Sequence, residues 1–165
     1  MEPNIEVNIA YEESEIKKAI AFYLWHIRGI RTRAMIIYPI VTIVIVFSIV
    51  FHWFLPLFTW TFAGFMFHFG YYKKLLNGYV NVYKKRKGGL YNFGNEKVSV
   101  VGEEIQCQYA WSVFKKAYET ASAFLLTDDN TFAYVFPKSC FQDDVSISQL
   151  RDLLKEKFEG FKTYE

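Results

Sequence analysis

No charged side chain interrupts the 39 residues from Ala34 to Tyr72, and no acidic one occurs anywhere in residues 34–87. Paired-carboxylate chemistry is thereby excluded from that whole segment. Cysteine is scarce as well. Cys107 and Cys140 are the two in the chain and form no CxxC spacing, which argues against a disulfide framework, a zinc ribbon and a thioredoxin-like redox motif. Both read as reduced structural residues of a cytosolic compartment. No glycine-rich phosphate loop is present. The first 30 residues hold Glu2, Glu6, Glu12, Glu13 and Glu15 and lack an early apolar core, so no cleavable signal peptide is expected.

What is there is apolar and unevenly charged. The 165 residues are 52% hydrophobic and 20% aromatic, with a formal net charge of +2. Residues 1–33 carry five acids and five bases, residues 34–87 carry six bases, and residues 88–165 carry twelve acids and eight bases. The positive excess therefore adjoins the uncharged run. As one helix that run would extend roughly 58 Å, nearly twice a bilayer core of roughly 30 Å. Two spans with a turn at Pro56 fit better, because proline interrupts a helix from inside. Trp53 and Trp60 would flank the turn at one interface, and Tyr38, Tyr71 and Tyr72 would return to the other. Basic residues at both ends, Arg28, Arg31 and Arg33 before and Lys73 and Lys74 after, would hold both termini on the cytoplasmic side. The expectation is a transmembrane helical hairpin over residues 34–76, its tip at Phe51–Pro56 on the far side of the membrane.

The flanking segments show other periodicities. Residues 4–11 alternate Ile5, Val7 and Ile9 with polar neighbours, as a strand does, and a helical pattern follows from about Ser14. Together residues 1–33 read as an N-terminal strand and amphipathic helix. Residues 77–165 read as a separate domain. Val98 and Val100, a turn at Gly102 to Glu104, and Ile105, Cys107 and Tyr109 predict one hairpin. Residues 123–127 and 131–137 around Asp128, Asp129 and Asn130 predict a second. The chain closes with a helix whose stripe is Ile147, Leu150, Leu153, Leu154, Phe158 and Phe161, with Ser146 and Gln149 as a possible capping box.

Three stretches carry a family likeness: QYAWSVFKKAYETASAFLL at 108–126, AYVFPKSCF at 133–141 and FYLWHIR at 22–28. They resemble the YcxB-like domain of small bacterial membrane proteins, with Trp111, Glu119, Phe124, Leu125, Pro137, Lys138 and Phe141 at the motif positions. The resemblance implies a small antiparallel sheet of the pleckstrin-homology-like (PH-like) kind closed by a C-terminal helix. It implies no catalytic residue. The expected fold class is thus an α+β membrane protein, a two-helix transmembrane hairpin joined to that PH-like sheet.

Candidate sites are few. Lys73, Lys74, Lys84, Lys85, Arg86 and Lys87 read either as topology determinants or as contacts for anionic lipid headgroups. His26, His52 and His68 would lie too far apart to share a metal, and His68 reads as neutral and interfacial. Cys140 has no nearby base to activate it and reads as a small buried hydrophobe. The pairs Asp128 with Asp129 and Asp143 with Asp144 sit where aspartate makes local turn bonds. Trp111, with Phe114 and Tyr118, is a core anchor or part of a groove, and a small sheet closed by one helix needs the former. Together with the resemblance, these readings give a non-enzymatic domain anchored in a bacterial inner membrane that binds a protein partner or lipid headgroups at the cytoplasmic face. No cofactor, metal or nucleic acid is expected. The alternatives are self-protection against a secreted toxin or bacteriocin, with Phe51–Pro56 as the working surface, and a channel or transport accessory.

Overall fold

The computed structural model describes residues 5–50, 54–86, 88–102, 106–128 and 132–164. Within its helices the side chains of Arg31, Ala34, Ser48, Ile49, Phe54 to Phe58, Trp60 and Phe67 are outside that description. The chain divides into two compact units, residues 1–20 together with 80–165, and residues 21–79.

The first unit begins with β1 (Ile5–Ile9), in which Ile5, Val7 and Ile9 are buried and Glu6 and Asn8 exposed. Its partner is distant in sequence: β1 pairs antiparallel with β2 (Gly89–Phe93), Ile5 opposite Phe93 and Ile9 opposite Gly89. Next come β3 (Lys97–Val101) and β4 (Gln106–Ala110), giving a four-stranded sheet in the order β1-β2-β3-β4. A second sheet follows from β5 (Lys116–Glu119), β6 (Ala123–Thr127), β7 (Ala133–Pro137) and β8 (Lys162–Thr163). Its order is β7-β6-β5-β8, with β8 parallel to β5. β6 is buried at every residue, as befits a central strand covered on both faces.

The apolar faces of the two sheets share one core. Phe93 and Tyr91 of β2 meet Phe136 of β7 edge to face, at ring separations of 5.1 and 5.3 Å. The C-terminal helix α4 (Asp144–Lys157) adds Leu150, Leu153 and Leu154 to that core. Its cap differs from the expected Ser146 and Gln149 box. Asp143 is the capping residue, and its carboxylate accepts a 2.7 Å hydrogen bond from the Ser146 amide. Aspartate suits this end of a helix because the first amides have no partner of their own.

Two helices complete the unit. α1 (Glu13–Phe22) buries Ile16, Ala19 and Ile20. The last turns of α3 (Phe54–Arg86) bury Val80 and Tyr83. Gly88, at φ +81°, makes the step from α3 to β2: a Cβ there would stand 1.9 Å from the Ile9 carbonyl oxygen, so no other residue fits.

Residues 21–79 form the second unit. The Arg28 amide donates to the Tyr23 carbonyl at 2.9 Å, five residues back, which makes a single wide turn over Tyr23–Ile27. α2 then runs from Ile30 to Val50, and α3 begins at Phe54. Among the described residues no helix is long and apolar enough to cross a membrane. The two-helix transmembrane hairpin, the integral two-span association with the membrane and the membrane-protein fold class are corrected accordingly; the fold is α+β without a described spanning helix. In α3 the physical reason is that a run free of charge is not a run of pure hydrocarbon: Thr59, Thr61, Gly64, His68, Gly70, Tyr71 and Tyr72 dilute it. In α2 the described side chains are interrupted by Arg31, Ala34, Ser48 and Ile49, which lie outside the description. Pro56 stands in the first turn of α3, which begins at Phe54, where a missing N–H costs nothing. Large apolar side chains described on both helices are nonetheless exposed, Ile43 of α2 at 66% and Phe62 of α3 at 56%.

Candidate functional site

A cavity of about 860 Å³ opens within the first unit, on the apolar side of β2 and β3 and between the edge strands β4 and β7. Strand periodicity aims its floor. Tyr91, Val98 and Val100 point inward from alternate positions, and Phe114 and Phe136 close the bottom, all buried. Tyr109 and Tyr134 form one wall, their rings 6.1 Å apart, and Phe114 stands edge-on to Tyr134 at 5.3 Å. At the rim Leu90 and Val101 are 41% and 48% exposed, so the lining runs from dry floor to wet mouth. A volume of this size falls in the range of small-molecule sites.

The end of α3 supplies the charge. Lys85 and Arg86 line the mouth, and the lining contains no carboxylate among the described residues. The Arg86 guanidinium lies over the rings of Phe132 and Tyr134, 5.0 and 5.5 Å from their centroids, a placement the ring quadrupole favours. Tyr134 titrates above its ordinary range, because burial and the Asp128 carboxylate outweigh the opposing pull of Arg86. Asp128 itself accepts from the Phe132 amide at 2.8 Å.

Tyr83, one turn before Arg86, fixes this helix end to the sheet. Its buried hydroxyl donates to the Ala133 carbonyl and accepts from the Val135 amide at 2.9 Å. A tyrosine thus takes the place of a neighbouring strand on the β7 edge, which would otherwise be open to pairing. Its phenol is pushed far above the ordinary range by burial. Tyr11 stacks edge-on against Tyr83 at 4.9 Å and shares a 3.1 Å hydroxyl contact with Tyr91.

The basic residues predicted from sequence are divided between the two units. Lys73 lies 4.9 Å from the Phe69 ring, and Lys74 is exposed on the same stretch of the second unit. Lys84 is paired with Glu13 at 2.8 Å, and Glu13 also holds Lys17 at 2.6 Å. Lys85 and Arg86 reach the cavity mouth, and Lys87 lies outside the described residues.

The family-motif residues serve the core. Trp111 is buried, its indole N–H donating 3.0 Å to the Gly94 carbonyl and its ring meeting Phe158 at 6.0 Å. Phe124 and Phe141 pack at 5.9 Å, and Pro137 ends β7. Glu119 and Lys138 belong to a buried ion cluster that sequence reading missed in part. Arg151 of α4 grips both carboxylate oxygens of Glu119 at 2.7 and 2.8 Å, and Lys138 adds a third contact at 2.7 Å. Burial works to raise the Glu119 pKa, but the hydrogen bonds from Arg151 and Lys138 outweigh it and hold the carboxyl below its ordinary value. The i, i+4 and turn rules could not have found Arg151, which lies 32 residues away.

His26 stacks on Phe22 at 4.4 Å. His68 lines a second cavity of about 500 Å³ within residues 21–79, among Ile37, Val41 and Gly64. His52 lies outside the described residues. Cys107 and Cys140 are free and half-buried, Cys140 pointing its sulfur at the Ala10 carbonyl at 3.6 Å. Among the described residues no group of three or more His, Cys, Asp or Glu side chains could hold a metal ion.

In comparisons with known proteins, residues 93–154 match the model of the YcxB-like protein family. The resemblance read from the sequence holds over that segment, which runs from the end of β2 into α4 and includes the Glu119 cluster. No curated protein and no solved structure matches the chain.

Proposed function

With a YcxB-like segment at residues 93–154 as its centre, we propose that the unit formed by residues 1–20 and 80–165 is a non-enzymatic binding domain for an anionic ligand. One observation carries this reading: an aromatic cavity of about 860 Å³ whose mouth holds Lys85 and Arg86 and whose lining includes no described carboxylate. Apolar walls exclude water and strengthen the attraction of the two cations for an anion. The buried acid that could suggest chemistry, Glu119, is fully committed to Arg151 and Lys138 and lines no part of the cavity. Binding, with recognition by charge at the mouth and by shape below, is the function this arrangement suits.

The test is a titration of the full chain with the anionic fluorophore anilinonaphthalene sulfonate. A saturable component is expected that the Lys85→Gln/Arg86→Gln variant loses and the Lys155→Gln variant, altered at an exposed position of α4, keeps. Equal binding in all three proteins would refute a site at the cavity mouth.

A further inference from the structure

Resting on that reading, we infer that the ligand is a single-chain anionic amphiphile, its carboxylate or phosphate at Lys85 and Arg86 and its hydrocarbon tail along the cavity floor. The head follows from the cations at the mouth. The tail follows from the state of the polar atoms within. The Tyr91 hydroxyl is spent on Tyr11, at 3.1 Å. The Tyr134 ring is covered by the Arg86 guanidinium, 5.5 Å from its centroid. No buried side-chain nitrogen or oxygen among the described residues lacks a partner. A sugar, a nucleobase or a peptide body placed on Val98, Val100, Phe114 and Phe136 would lose its hydrogen bonds to water and find none in exchange, which is costly. A hydrocarbon body loses nothing there and gains by leaving water.

The same geometry assigns the gradient its direction. Leu90 and Val101 at the rim are exposed, whereas Val98 and Phe136 at the floor are almost wholly buried, each at 1%. A tail that enters past the rim goes to progressively drier surface while its head stays beside Lys85, which is exposed, and Arg86, which is half-buried. Val82, on α3 one turn before Arg86, lines the same mouth and is exposed. A large side chain at this position would stand in the tail's path without touching the core.

The experiment is calorimetric titration of the full chain, below micelle-forming concentrations, with hexanoate, octanoate and decanoate. Decyl phosphate, decanol, acetate and inorganic phosphate complete the set. Saturable binding is expected to tighten about fourfold per added methylene, the factor that full burial of each group implies. Arg86→Gln is expected to weaken decanoate about tenfold to a hundredfold, as loss of a charged hydrogen bond does, and to leave decanol unchanged. Val82→Trp is expected to abolish both. Preference for decyl phosphate over decanoate would assign the head to a phosphate, and the reverse to a carboxylate. Affinity independent of chain length, with acetate or phosphate binding as well as decanoate, would overturn the inference and leave an anion-binding domain standing. Decanoate binding untouched by both substitutions would also overturn it, and would put the ligand on the exposed apolar faces of α2 and α3. If no probe binds saturably, the proposed function falls with it. Circular dichroism of each variant verifies that it is folded.

Discussion

Replacing Glu119 by glutamine removes one negative charge from a side chain that is 1% exposed and faces two cations. Three contacts of 2.7 to 2.8 Å are affected. Breaking a fully buried ion pair by deleting one partner costs about 3–5 kcal/mol. Arg151 and Lys138 keep 34% and 21% of their side-chain surface in water, so part of their lost attraction is returned by solvent. The amide also retains one acceptor for the guanidinium. These discounts bring the expectation to about 3 kcal/mol, the low end of that range. Because the folded-state pKa of Glu119 is below its ordinary 4.5, the stabilisation is fully present above that value and is lost as pH falls through the folded pKa. The wild type should therefore lose stability below about pH 4.5 more steeply than Glu119→Gln. Hydrogen exchange followed by mass spectrometry on the peptides of β5, β6 and α4 reads the loss locally, without assuming that two units unfold as one. A change under about 0.5 kcal/mol, the level of an ordinary surface substitution, or parallel acid profiles of the two proteins, would refute the argument that this cluster locks α4 to the sheet.

Other perturbations follow from single contacts. Tyr83→Phe leaves the Ala133 carbonyl and Val135 amide without their partner and should cost about 1–3 kcal/mol, seen as faster exchange along β7. Gly88→Ala puts a methyl group 1.9 Å from the Ile9 oxygen at a positive φ. Separation of β1 from β2 is expected, and a protease nick in residues 5–12 would register it. Asp143→Ala removes the 2.7 Å cap of α4 and should lower stability by about 1 kcal/mol, measurable as a shift in urea midpoint, whereas Asp143→Ser should restore most of it.

Local pattern made some of this architecture legible. Alternation of Ile5, Val7 and Ile9 announced β1, and turn residues near Gly102 and Asp128 announced the hairpins of β3 with β4 and β6 with β7. The stripe from Leu150 to Leu154 announced α4. What failed is informative in each case. The capping box at Ser146 lost to Asp143, because a carboxylate three residues ahead of an available amide satisfies the same donor. Lack of charge over residues 34–72 suggests two spans, whereas in α3 the uncharged residues threonine, tyrosine, histidine and glycine lower the apolar content of the run. Pairing of β1 with β2, and the reach of Arg151 and Lys138 to Glu119, depend on tertiary closure and leave no mark at any fixed spacing. The cavity was equally invisible. Lys85 and Arg86 were noted as basic, but that Arg86 turns towards Phe132 and Tyr134 is decided by Tyr83 anchoring the turn before it.

The antiparallel register of Ile5 with Phe93 also sets an order of events during synthesis. β1 leaves the ribosome before its partner, which follows 84 residues later at the Val7–Tyr91 pair, an interval of roughly 4–17 s at ordinary elongation rates. Through that interval Ile5, Val7 and Ile9 have no sheet to cover them, and once β2 and β3 emerge they form a hairpin whose outer edge waits for a strand made much earlier. Closing so long a loop adds little to the equilibrium free energy, since its entropy grows with the logarithm of length, but it makes docking of β1 a late, non-local step and hence a slow one. The β2 edge is therefore the surface of the newborn chain most open to pairing with a neighbour, and keeping it unpaired until β1 returns is a task for a chaperone or for dilution.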